Sequence, residues 1–192
     1  MELKVSKLKT FNFSLVLNGV NKITTKLEDN VYNAGCNDAI LHSKNGTIYL
    51  GFDREETSLK NAIISAILDV ESIKNIVVTS IEPADYVTVA EIARRANVTR
   101  EYIRQLINGA RGKGTFPRPK AGAISKTLIY SWYEVSTWLT NNGTLKDRDK
   151  HRLAFIIKRF NDALDVRVHP WGANFPIHLL EDLNEAYKVL VG

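Results

Sequence analysis

A single cysteine, Cys36, stands among 192 residues, so no intrachain disulfide can form. Small secreted domains held by disulfides are thereby excluded, and a cytoplasmic location is expected. No cation flanks Cys36 in the sequence, so it reads as a small half-buried thiol; a nucleophile is the alternative. Long apolar runs are absent, and none approaches the ~20 residues that span a bilayer. The opening MELKVSKLKTF has no apolar core of the kind a secretory signal carries. Histidine is scarce. His42, His151, His169 and His178 fall in different segments without metal-ligand spacing, so neither metal nor cofactor is expected. There is no P-loop, no GxGxxG and no GxSxG. RGKG (111–114) has the small residues of a phosphate loop but not the remainder. No carboxylate pair flanks a recognisable pocket. Tyr130 and Tyr133 fall at a strand-to-helix corner, outside the arginine set a recombinase requires. The chain is not expected to be an enzyme.

What is present is positive charge in one place. The net charge is +5. Arg94 to Lys126 holds nine Lys/Arg and one acid, Glu101, for a net +8; the remainder is net −3. Basicity confined to one segment suits a local polyanion site. The bulk composition, 44% hydrophobic and 24% charged, is that of a globular chain.

The first eighty residues alternate strand and helix patterns. Phe11, Phe13, Leu15 and Leu17 occupy one face of a strand. ITTKLEDNVYNAG (23–35) sets Leu27, Val31 and Tyr32 at helical spacing, with Gly35 as its C-terminal stop. Two strands, DAILHS and TIYLGF, flank Lys44-Asn45-Gly46, a hairpin signal. A helix follows, with Ala62, Ile63, Ala66, Ile67 and Val70 on one face, then the strand NIVVTSI (75–81). The order β-α-β-β-α-β is the split βαβ of ferredoxin-like domains. It resembles small-molecule-sensing ACT domains in topology, though no ligand signature accompanies it. A structural or dimerising role is expected, through the open face or edge of the sheet; ligand sensing is the alternative.

Beyond Pro83, Thr88-x-x-Glu91 is a capping box opening a helix over 89–96 that buries Ile92, Ala93 and Ala96. Asn97 tolerates a left-handed turn, Val98 plugs the corner, and Thr99 caps a second helix. That helix turns Ile103, Leu106 and Ile107 inward. Arg100, Glu101, Tyr102, Arg104, Gln105 and Asn108 occupy its other positions and are candidate DNA-binding residues. Arginine matches guanine O6/N7 and glutamine matches adenine N6/N7 in a major groove. Arg100, Glu101, Arg104 and Gln105 are the candidate base readers. Thr99 and the free helix-end amides suit a phosphate. A plain helical hairpin would show the same apolar spacing.

GARGKGT and FPRP follow, glycine-rich and basic, suited to tracking a phosphate backbone. Arg111, Lys113, Arg118 and Lys120 are the candidate phosphate contacts. TLIY (127–130) reads as a strand that pairs with 117–121 into a β-wing. Ser131-x-x-Glu134 opens a helix whose Trp132, Val135, Trp138 and Leu139 cover the back of the motif.

Over residues 86–140 the sequence resembles the excisionase-type branch of the MerR-like DNA-binding domains, including the AlpA regulators of phages and prophages. The resemblance rests on Ile92, Ala93, Val98, Thr99, Ile103, Leu106, Ile107, Phe116, Pro117, Pro119, Trp132, Val135, Trp138 and Leu139 in order and spacing. It implies a winged helix-turn-helix with its second helix in the major groove. The loop 109–115 is longer than that family's, and large segments stand before and behind the motif.

Behind it, NNGTLK (141–146) reads as a linker. A helix follows, with Leu153, Ile156, Ile157, Phe160 and Leu164 on one face, Asp147 and Asp149 in its first turn, and Lys158 and Arg159 near its end. The basic run 146–152 reads as a solvated helix face. The turn-rich HPWGANFP and a last helix, IHLLEDLNEAYKVL, would complete a helical hairpin. The expected fold class is therefore α+β: a ferredoxin-like domain (1–83), a winged helix-turn-helix (84–140) and a C-terminal helical hairpin (141–192). The expected function is a sequence-specific regulator of bacterial, phage or mobile-element origin. It would bind double-stranded DNA as a homodimer, with no membrane partner. An architectural DNA-bending factor and a protein-interaction adaptor are the alternatives.

Overall fold

The computed structural model describes residues 7–147 and 149–168. It is a mixed α+β structure with a four-stranded antiparallel sheet, a two-stranded sheet and six helices among the described residues. The expected last helix and the loop before it lie outside the described residues, as do His169 and His178.

The large sheet contains β1 (Lys9–Asn18), β2 (Ala39–Lys44), β3 (Thr47–Glu56) and β4 (Val77–Glu82), in the order β2-β3-β1-β4. Alternation decides its inner face. Phe13, Leu15 and Leu17 of β1 and Ile48, Leu50 and Phe52 of β3 are buried in one cluster. Two helices, α1 (Thr25–Asn33) and α2 (Leu59–Glu71), bring Leu27, Val31, Ala62, Ile63, Ala66 and Val70 into the same cluster. Tyr32 departs from expectation and is 69% exposed, because Leu27 and Val31 suffice to define the narrow buried stripe of a nine-residue helix. β2 and β3 meet at Asn45 (φ 52°) and Gly46 (φ 77°), the two left-handed residues of a tight hairpin turn. β3 runs four residues past TIYLGF, because Asp53 to Glu56 continue the ladder to β1. Its Arg54 is buried and pairs with Asp38 (2.8 Å) and Asp69 (2.7 Å), joining the start of β2 to α2.

A second cluster gathers α3 (Val89–Ala96), α4 (Arg100–Ile107) and α5 (Trp132–Asn141). Its small sheet adds a strand that the expected wing did not include. β6 is Ile129–Ser131, and its ladder partner is β5 (Tyr86–Thr88). The arm 117–121 touches β6 through one bridge, Ala121 to Ile129. The buried Asp85 explains the choice. Its carbonyl accepts from Trp132 N–H and its carboxylate from Tyr133 N–H, which pins the residues before β5 to the start of α5. The supposed linker is also docked, with Leu145 buried in this second cluster.

α6 (Asp149–Val168) belongs to both clusters. Ala154 sits in the second, and Ile157 and Leu164 in the first. The helix runs beside the β4 edge of the large sheet. Asn161 bonds both Ile81 N–H (2.7 Å) and Ile81 C=O (2.9 Å), and Arg167 bonds Val78 C=O (2.9 Å). Because α6 continues to Val168, Lys158 and Arg159 lie within the helix and not near its end; Lys158 pairs with Asp162 one turn on.

Candidate nucleic-acid interface

α3 and α4 are built by local chemistry. Thr88 and Thr99 accept hydrogen bonds from Glu91 N–H and Tyr102 N–H, capping the two helices. Between them Asn97 adopts φ 54°, ψ 48°, and Val98 N–H returns to Ala93 C=O at 2.9 Å. This closes α3 and fixes where α4 begins. Ile92, Ala93, Ile103 and Leu106 are buried together beneath the pair. The capping boxes at Thr88 and Ser131 are one-sided. Glu91 goes to Arg94 and Arg95, and Glu134 to Lys120, so neither carboxylate reaches back to the cap.

The outward face of α4 carries Arg100, Glu101, Arg104 and Asn108, all exposed, with Gln105 half-buried. Arg104 and Glu101 stand 3.8 Å apart and remain about two-thirds exposed, a loose pair that a stronger partner can open. Tyr102 is placed differently from the others. Its hydroxyl meets Thr144 Oγ1 at 3.1 Å, and the Arg111 guanidinium lies over its ring at 5.7 Å. Its role is to seat the residues after α5 and to hold Arg111. Thr99 uses an oxygen lone pair on its cap and keeps its O–H available as a donor.

The loop after α4 is held against α5. Gly112 has φ +85°, and a Cβ there would meet the Trp138 ring at 2.4 Å. Lys113 N–H donates to Asn142 Oδ1 at 2.5 Å. Phe116 packs edge-on against Tyr130 and Trp138. Arg111, Lys113 and Arg118 are exposed on this anchored loop, and Lys120 is paired with Glu134. Across the basic segment, Arg100, Arg111, Lys113, Arg118 and Lys126 pair with none of the described carboxylates.

Arg95 counts toward the charge of the basic segment but is not one of its exposed cations. Its side chain is 12% exposed, lies over Trp132 at 5.5 Å, and bonds Glu91 and Ala84 C=O. The Glu91-Arg94-Arg95 spacing, i to i+3 and i+4, was a readable signal for that pairing. The two arginines hold the Glu91 carboxyl down at about 2. Burial, reinforced by Asp69, pushes the Cys36 thiol up to about 11, which leaves it unreactive at neutral pH. Among the described residues no group of three or more His, Cys, Asp or Glu is placed to hold a metal ion. Nor is any described helix long and apolar enough to cross a membrane. Comparison with known protein families, with characterised proteins and with solved structures finds no match.

Proposed function

We propose that this chain binds double-stranded DNA sequence-specifically and acts as a transcriptional regulator, with α4 entering the major groove. The observation that carries the reading is the exposed Arg100–Glu101–Arg104 face on a helix positioned by a left-handed Asn97 turn, beside an anchored basic loop. In this reading α3, α4 and the arm 109–128 form a winged helix-turn-helix of the excisionase-type MerR-like kind, and residues 1–83 a ferredoxin-like domain. Arg100, Glu101, Arg104 and Gln105 read bases; Thr99, Arg111, Lys113, Arg118 and Lys120 grip phosphates. The cytoplasm, where duplex DNA would be met, is part of the same reading.

A homodimer on an inverted repeat goes with it. The β4 edge is covered by α6, whereas among the described residues β2 has no partner on its outer edge and Ile40 is 67% exposed, a surface able to pair with a second copy.

A second reading, an architectural DNA-bending factor, is favoured by Ile124. It is fully exposed at the tip of the arm, on a turn held by Ser125 N–H to Gly122 C=O at 2.9 Å. Apolar tips of this kind wedge between base steps and kink a duplex.

Fluorescence anisotropy across a salt series, comparing the DNA upstream of the protein's own gene with a scrambled duplex, tests both. A preference of ~10³-fold or more at physiological salt is the expected result for a regulator. Equal binding with a steep salt slope, together with bending, would move the assignment to the architectural factor. Binding to neither duplex would overturn both.

A further inference from the structure

Between the large sheet and the second cluster lies a partly open cavity of about 280 Å³. Phe11, Leu59, Pro83, Trp132, Leu153 and Ile157 line it, so five segments distant in sequence meet around an apolar space. Unfilled apolar volume is destabilising in a packed interior. An engineered apolar cavity of roughly 150 Å³ is enough to hold benzene. One cation stands at this cavity, Lys150. Lys150 pairs with none of the described carboxylates, and its ammonium makes a single long bond, 3.4 Å, to Arg95 C=O. An apolar body and an ammonium with no carboxylate partner among the described residues together suit one ligand chemistry.

We infer that this cavity is a binding site for a small carboxylic acid with a single-ring or similarly sized apolar body, its carboxylate meeting Lys150 and its body packing on Trp132. The site is joined to α3. Trp132 carries the Arg95 guanidinium on its ring, Arg95 bonds Glu91, and Lys150 bonds the Arg95 carbonyl. A ligand that draws Lys150 away and presses on Trp132 acts on the last turn of α3, from which α4 is hung. That effect on DNA affinity rests on the DNA-binding reading above; occupancy of the cavity does not.

The test uses the full chain, phenylacetate as the probe and 2-phenylethanol as its uncharged counterpart. The readout is the indole N–H resonance of Trp132, assigned with Trp132→Phe. Phenylacetate is expected to shift that resonance saturably, and Lys150→Met, which keeps the apolar stem, is expected to weaken binding ~tenfold, the scale of a charge-assisted hydrogen bond. Equal affinity for the two probes, or an unchanged affinity in Lys150→Met, would overturn the assignment of a carboxylate. No saturable shift with either probe would overturn the site. DNA anisotropy with and without phenylacetate then separates the two readings. A ligand-dependent change in DNA affinity supports the coupling, and a bound ligand with unaltered DNA affinity overturns it. A bound ligand on a protein that binds no DNA leaves the site standing and sinks the regulator.

Discussion

The side chains along α4 differ in what they would lose on meeting a base. Arg104 has only a loose, solvent-screened tie to Glu101, so little must be broken before it forks onto guanine. Replacing Arg104 by Ala is expected to cost about 1–3 kcal/mol of specific binding and to relax preference at one base position. Lys113 sits on the anchored loop, so Lys113→Ala should weaken all duplexes alike and lower the salt slope by about one. Anisotropy on a panel of single-base variants distinguishes the two; identical profiles for both mutants would displace α4 from its proposed groove. A second residue-scale prediction concerns Glu91. Its carboxyl is held at about 2 against an ordinary 4.5 by Arg94 and Arg95. A depressed folded value means the stabilisation is complete above pH 4.5 and fades as pH falls toward 2. Glu91→Gln should therefore destabilise by about 1 kcal/mol near neutrality, after allowance for solvent screening, and by progressively less in acid. Urea unfolding of both proteins at several pH values checks this; a gap independent of pH would mean that the ion pair contributes nothing.

At the scale of elements, the features legible in the sequence are those settled within a few residues. Asn45-Gly46 could only be a tight turn, and Thr88, Thr99 and Ser131 each precede an apolar helical stripe and cap it. Asn97 shows the same economy, because few residues other than glycine accept its left-handed angles. The candidate face of α4 was readable for this reason: a cap and a 3.6-residue period fix which side chains remain outside. The misread features depend on distant partners. β5 has three residues and is a strand only because β6 lies beside it. Tyr102 and Leu145 look like surface and linker until the chain returns 42 residues later to bring Thr144 against Tyr102. The course of α6 is likewise chosen by the open β4 edge, where Asn161 supplies the donor and acceptor that a fifth strand would. Asn161→Ala should leave Ile81 N–H and C=O unpaired against an apolar core and cost roughly 1–3 kcal/mol. Hydrogen exchange at the Ile81 amide is expected to accelerate while exchange at Leu50 follows only the global loss of stability. Unchanged protection at Ile81 would show that the side chain is dispensable to the edge.

For the molecule as a whole, two cores share one helix. Ala154 enters the second cluster three residues before Ile157 enters the first, so α6 cannot leave one without disturbing the other. Probes for each core exist in the native sequence. Cys36 is the lone thiol, buried in the first cluster, and Trp132 and Trp138 belong to the second. In a Trp171→Phe background, tryptophan emission reports the second cluster alone, and thiol accessibility to an aromatic disulfide reagent reports the first. Shared burial on α6 predicts that both signals change at the same urea concentration, as one cooperative unit would require. Phe155→Pro places a ring in the helix between the two points of attachment and removes a backbone donor, at a cost of about 3 kcal/mol or more to α6. In that variant the two transitions should separate, each cluster unfolding at its own midpoint. Separate transitions already present in the parent protein would mean that α6 lies on both cores without coupling them.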